Sequence, residues 1–206
     1  LIKTRLELRK MLPLFKRMVN NMNIVLMCGH ETGDETINTL FSAIRFVHSC
    51  AIHIGEETFS IIPPKAKNPD FVIIDNKKIK NLHTKSGIAL FRKEIEPKHE
   101  IVIPPSFFAI IDSDNTKAAD LLSSQGNQTI TCGLSQKDTI TFSSLENDRA
   151  VVSLQRGLVA LDGSEILPVE IPVTFNTTHS EYAILASTAV LLLSGAAIPE
   201  SGLEFM

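Results

Sequence analysis

Asp112, Asp114 and Asn115 follow the apolar run Phe107-Phe108-Ala109-Ile110-Ile111, and two carboxylates and an amide at that spacing can hold a ligand or turn the chain. In open α/β sheets ligands bind beyond the carboxyl ends of the strands. Gly29, after Asn23-Ile24-Val25-Leu26-Met27-Cys28, and Asp75-Asn76, after Phe71-Val72-Ile73-Ile74, would project at the same edge. These residues also have an everyday use, since Asn115 suits the N-cap of a helix beginning at Thr116. No Gly-x-Ser-x-Gly elbow accompanies a His and an acid in order, and no Cys lies beside a predicted base, so no catalytic residue is assigned. Cys28, Cys50 and Cys132 are widely spaced, odd in number and lack a Cys-x-x-Cys pair, and the six histidines are scattered. That argues against a disulfide framework and against a zinc site.

The elements that must position these residues come from a chain of 206 residues, 44% apolar and 21% charged, with a formal net charge of −3 and no Trp. This is enough chain for one substantial core, read as a single domain over 1–206. The apolar stretches are too short for a transmembrane span, and the acidic balance gives no support to nucleic-acid binding. A cytoplasmic protein is expected. Residues 3–17 are basic, with Lys3, Arg5, Arg9, Lys10, Lys16 and Arg17 interleaved with Leu6, Leu8, Met11, Leu12, Leu14 and Phe15. They read as an amphipathic helix packed through its apolar stripe with its basic face solvated, and the interruptions by charge leave poor signal-peptide character.

Strand, loop and helix succeed one another. The run 23–29 is a buried strand, and 36–49 place Ile37, Leu40, Phe41 and Ile44 near helical spacing. Residues 52–54 and 59–62 read as short strands closed by Pro63-Pro64; 70–75 is the clearest internal strand, and 86–95 reads as a helix. Then come a strand at 107–111, a helix at 116–124 and a strand at 129–133. Such alternation implies parallel pairing with right-handed crossovers. From Thr139 the pattern switches to alternation: 140–145 and 150–155 form an antiparallel hairpin. Residues 158–161 and 166–173 extend it through a turn at Asp162-Gly163, and an Ala- and Leu-rich helix at 180–194 follows. The fold class is therefore α/β, a mainly parallel sheet flanked by helices with a small antiparallel addition at about 139–175.

In this order the pieces resemble the central, ATP-binding domain of the Mur ligase family, which joins amino acids to peptidoglycan precursors. The family's phosphate loop T-G-T-x-G-K-T/S-T corresponds to Cys28-Gly29-His30-Glu31-Thr32-Gly33-Asp34-Glu35-Thr36. Its strand ending Thr-Asn, followed by Asp-His-Leu-Asp, is similar to Ile73-Ile74-Asp75-Asn76 and then Lys80-Asn81-Leu82-His83. Its Asn-x-Asp-Asp element is similar to Asp112-Ser113-Asp114-Asn115, and Ile130-Thr131-Cys132-Gly133-Leu134 resembles its I-T-F/Y-G-L/F. Its G-x-H-N-x-x-N-x-x-A-A helix is similar to the run from Thr177 to Ser187, with His179 in place of its His. The resemblance implies residual nucleotide-binding positions at Gly29, Thr32, Gly33, Thr36, Asn76, Asp112, Asp114, Asn115 and His179.

The departures point away from that chemistry. A phosphate loop needs glycines that let N–H groups approach, a Lys that balances charge and a Ser/Thr that holds Mg²⁺. Here Asp34 or Glu35 falls at the Lys position and Glu31 adds a third carboxylate. At an effective dielectric of 20 a unit-charge pair 4 Å apart is worth about 4 kcal/mol, so attraction turned to repulsion removes several decades of affinity. In the first turn of a helix the same acids favour the helix dipole. The family's His and preceding Asp fall on Asn81 and Lys80, its modified Lys falls near Arg92, and Glu56 or Glu57 is a nominal counterpart of its acidic magnesium ligand. Two-metal chemistry is therefore not expected. The stretch ends at Glu204-Phe205-Met206, where the resemblance would start a further domain, so the amino-acid-delivering and UDP-sugar domains are expected to be missing.

The expected function is a non-catalytic binding or interaction module without cofactor, with a link to peptidoglycan precursor metabolism by analogy of fold. An ATP- and Mg-dependent ligase or hydrolase completed by a partner chain is the first alternative. A self-associating structural protein, joined through the basic N-terminal helix or an exposed sheet edge, is the second.

Overall fold

The computed structural model describes residues 22–30, 33–62, 70–76, 82, 84–94, 102–176 and 178–206. The expected basic helix at 3–17, the Pro63-Pro64 closure, Thr32, Lys80, Asn81 and His83 lie outside them.

Strands β1 (Asn23–Cys28), β4 (Phe71–Ile74), β5 (Gly87–Phe91) and β6 (Phe107–Asp112) form the centre of the sheet. They are apolar nearly throughout because helices and loops cover both faces of a parallel sheet. Around them lie β2 (Ala51–Ile54), β3 (Phe59–Ile62), β7 (Gln128–Cys132), β8 (Ile140–Leu145), β9 (Arg149–Leu154), β12 (Glu170–Phe175) and β13 (Leu203–Phe205). The eleven strands run in the order β13-β12-β9-β8-β7-β6-β5-β1-β4-β2-β3. Pairing is parallel from β2 through β4, β1, β5, β6 and β7 to β8, and antiparallel at β2–β3, β8–β9 and β9–β12.

Alternate residues of each strand serve opposite faces. Val25, Met27, Ile73, Ile88, Leu90, Ile110 and Ile130 join the core beneath helices α1 (Glu35–Phe46) and α3 (Glu181–Leu193). Ile24, Cys28, Val72, Ile74, Phe91, Ala109 and Ile111 face the other way, with Ala118 and Leu122 of α2 (Thr116–Gln125). Helix α1 has one buried stripe. Helix α3 is apolar all round and buried along almost its whole length, as a helix must be when it lies between a sheet and a second helix. Among the described residues no helix is long and apolar enough to cross a membrane.

Three elements differ from the sequence reading. The helix expected at 86–95 is strand β5, buried at every position between β1 and β6. Gly-Ile-Ala-Leu-Phe has no periodicity that separates a buried helix from a buried strand, and the neighbours decide: a Cβ on Gly87 would stand 2.5 Å from the Phe107 ring. The expected extension of the hairpin divides. Strands β10 (Leu158–Val159) and β11 (Glu165–Ile166) pair with each other as a separate ribbon, turning at Gly163 with φ 89°, while only β12 joins the main sheet. Strand β13 has no counterpart in the reading; it pairs parallel to β12, and the Met206 backbone is held to Ser42 Oγ of α1 at 2.9 Å through both its N–H and its carbonyl.

Candidate functional site

The predicted positions gather at the carboxyl ends of β1, β4, β5 and β6, where the loop after β1 meets the start of α1. Gly29 has φ 86°, a backbone conformation that favours glycine. A Cβ there would lie 2.3 Å from the Glu94 carbonyl oxygen. The room a side chain would take is therefore filled by the protein's own backbone. His30 N–H donates to Glu94 O at 2.6 Å and Glu94 N–H donates back at 3.2 Å, a short antiparallel bridge that ties the loop to the chain leaving β5.

Directly after β5, Arg92 is 4% exposed and reaches across β1 to Asp75 at the end of β4. Its Nη1 donates to Asp75 Oδ1 and its Nη2 to Oδ2, each at 2.8 Å, the bidentate geometry that suits a guanidinium best. Asp34 Oδ1 stands 3.9 Å from the same group but is largely exposed. Beside this pair the Cys28 thiol is pushed up to about 12, by burial first; Arg92 opposes the shift and Asp75 adds to it. A thiol held protonated is no nucleophile.

The two acids at the start of α1 do different things. Asp34 is the N-cap residue, with φ 52° and no side-chain capping bond. Glu35 turns away, its carboxylate accepting the N–H of Ser180, the N-cap of α3, whose own hydroxyl accepts from Ala183 N–H at 3.3 Å. Thr36 is buried. One helix start thus fastens the other.

His179 belongs to this fastening. Its Nδ1 lies 2.8 Å from Thr39 Oγ1, and the Thr39 hydroxyl donates to Glu35 O at 2.9 Å. The imidazole must therefore donate from Nδ1, which leaves the lone pair on Nε2. That Nε2 is buried without a hydrogen-bond partner, and burial lowers the ring's pKa, partly offset by Glu35. Burial thus favours the neutral ring, which tilts against Phe205 with centroids 6.2 Å apart. Glu35, Asn38, Thr178, His179 and Gly33 line a cleft of about 360 Å³.

Asp112, Asp114 and Asn115 serve the turn into α2. Asp112 Oδ1 accepts Asp114 N–H at 2.9 Å, and Asn115 Oδ1 caps Ala118 N–H at 3.0 Å. The Asn115 amide also donates to Arg92 O at 3.1 Å and Lys93 O at 3.2 Å, so the cap holds the residue that carries the guanidinium. Asn115→Ala is expected to cost about 2–3 kcal/mol through the lost cap and two abandoned carbonyls, read as a lowered urea midpoint. Asn76 donates to Gly55 O at 3.2 Å, tying the end of β4 to the turn after β2.

The structure therefore brings Gly33 and His179 to one cleft, while Gly29, Asn76, Asp112, Asp114 and Asn115 lie outside its lining. Sequence reasoning missed Arg92 as the centre of the edge, although a cation ending an unbroken apolar run was a visible signal. It missed His53 as well. That ring on β2 is partly buried, and burial lowers its pKa while Asp75, Arg92 and Asp34 act on it with mixed signs. Among the described residues no three His, Cys, Asp or Glu side chains are grouped to hold a metal ion.

No family model and no curated protein sequence matches the chain. Solved structures do. A murein peptide ligase from Psychrobacter arcticus is 14% identical, with 92% of this chain covering 49% of that one at a TM-score of 0.52. MurF ligase from Thermotoga maritima, in complex with ADP, is 10% identical over 89% of this chain and 48% of its own, at 0.51. A bifunctional folylpolyglutamate synthase/dihydrofolate synthase from Yersinia pestis, complexed with AMPPNP and Mn ion, is 11% identical over 90% of this chain and 57% of its own, at 0.54. The chain spans about half the length of these proteins, and at such identities the likeness is one of fold. With the order of elements described above, that likeness gives this chain the fold of a Mur ligase-like central domain.

Proposed function

We propose that the chain is a Mur ligase-like module that has exchanged nucleotide chemistry for internal structure and acts by binding rather than by catalysis. The observation that carries this reading is the bidentate Arg92–Asp75 pair, which commits the buried cation at the carboxyl edge to a carboxylate of the same chain. A nucleoside triphosphate with its divalent cation does not fit the residues around it. The approach that Gly29 permits is taken by Glu94 O, the loop from 29 to 36 contains no Lys or Arg, and its helix starts on Asp34 and Glu35. The bound ADP, AMPPNP and Mn of the similar structures are properties of those proteins. A connection with peptidoglycan precursors rests on the murein peptide ligase whose fold the chain shares.

Isothermal calorimetry with Mg-ATP tests the reading. Loss of the phosphate-balancing charge should leave no saturable heat up to about 1 mM nucleotide. Micromolar binding that disappears in Gly33→Val would overturn it.

A further inference from the structure

Helices α1 and α3 and strand β13 meet at His179, and we propose that this ring is an acid-sensitive latch, which holds the two helix starts together while uncharged and lets them part when it takes a second proton.

Such a latch needs a group that can be protonated and has no place for the proton. The Thr39 hydroxyl donates its hydrogen to Glu35 O at 2.9 Å and meets Nδ1 at 2.8 Å through a lone pair. Nδ1 is therefore already a donor, and an added proton can go only to Nε2. That atom is buried and has no hydrogen-bond partner. An imidazolium would bring both a charge and an unmet N–H into a place that satisfies neither. On the β13 side the ring meets Phe205, whose side chain has no hydrogen-bonding atom.

Among the described residues Glu35 of α1 is the charged group that acts on the ring; Ser180 on α3 and Phe205 on β13 are uncharged. Glu35 is already in use. Its carboxylate accepts the N–H of Ser180, the N-cap residue of α3. If it turns to the new charge, Ser180 loses its acceptor; if it stays, the new N–H has none. Both courses loosen the same junction. Burial outweighs Glu35 and lowers the ring's pKa from 6.5, so the folded chain takes this proton less readily than the unfolded one. The stability contributed by the neutral ring is thus complete above about 6.5 and is lost as the pH falls below it. Glu35 and His179 also line the cleft, so acid alters its walls. The latch does not depend on whether the loop after β1 binds nucleotide.

The test is amide exchange on the full chain, followed by NMR and expressed as protection factors, which remove the intrinsic pH dependence of exchange. Between about pH 7 and about pH 5 the protection of Ser180 and Ala183, whose N–H groups bond Glu35 and Ser180 Oγ, should fall at least about threefold more than that of the β9–β12 ladder. His179→Asn keeps a donor near the place of Nδ1 and cannot titrate, so both amides should then follow the ladder. His53, whose pKa burial also lowers and on which Asp75, Arg92 and Asp34 act, stays in that variant and serves as the control. The ring gives a second readout that needs no substitution: its nitrogen shifts should place the proton on Nδ1 at neutral pH and show a titration below the ordinary histidine range. A proton on Nε2 at neutral pH, a titration at or above 6.5, equal loss of protection in junction and ladder, or a fall that persists in His179→Asn would each overturn the proposal.

Discussion

Asp75→Asn is expected to lower the stability of the chain by about 3–5 kcal/mol, the scale set by removing one partner of a buried ion pair. Arg92 is 4% exposed and cannot recover water when its carboxylate is gone. Asparagine offers one acceptor where two oxygens now each accept a bond at 2.8 Å. Asp34 cannot take over, because it lies 3.9 Å away on an exposed helix start. The reverse change, Arg92→Met, should cost less, since Asp75 is partly exposed and can be hydrated. Joining Arg92→Met to Asp75→Leu should recover most of the loss, because a buried pair replaced by apolar groups of similar volume is often neutral. Urea unfolding of the parent, Arg92→Met, Asp75→Leu and the double variant closes the cycle, with Asp75→Asn measured beside it. If Asp75→Asn costs under about 1 kcal/mol, the pair is not the buried tie described here.

Gly29→Ala and Gly33→Ala should separate sharply, although both glycines sit in one loop with φ near 86°. At Gly33 nothing among the described residues lies within 4 Å of an added Cβ, so the left-handed backbone sets the penalty, at about 1–2 kcal/mol. At Gly29 the same backbone cost is joined by a Cβ 2.3 Å from Glu94 O. The His30–Glu94 bridge must open to admit it. The total is expected near 3–5 kcal/mol, strain and overpacking together. At about 2–4 °C per kcal/mol for a chain of this size, a thermal melt should show the difference as several degrees. Equal shifts would mean that the bridge does not close on Gly29. A loop kept for phosphate would respond differently, with both changes felt in nucleotide affinity.

The fold was legible where short-range signals agree. Phe71–Ile74 and Phe107–Asp112 are apolar runs bounded by polar turns, and a run of that kind buried on two faces can only be an inner strand once helices alternate with it. The order of these runs, with the loop from 28 to 36 and the helix after His179, was enough to point to the Mur ligase-like domain. Gly87–Phe91 was not legible, because five apolar residues carry no period, and Ala and Leu favour a helix until strands on both sides claim the backbone. Strand β13 was missed because three residues pair only where β12 already waits for them.

At the candidate site the sequence by itself determined which charges are present: acids from Glu31 to Glu35 and no cation among them, a property of composition that folding cannot alter. Only the tertiary structure decided where each goes. Asp75 and Arg92 are seventeen positions apart and directly follow strands that do not touch, yet β1 between those strands brings the two ends within hydrogen-bond reach. Glu35 and Ser180 meet across 145 positions, so that an acid read as a helix-dipole partner also holds the start of a second helix. Residue type is local chemistry, whereas an ion pair or a cap across a sheet exists only after long-range strand order has been set, and that order is written in packing, not in spacing.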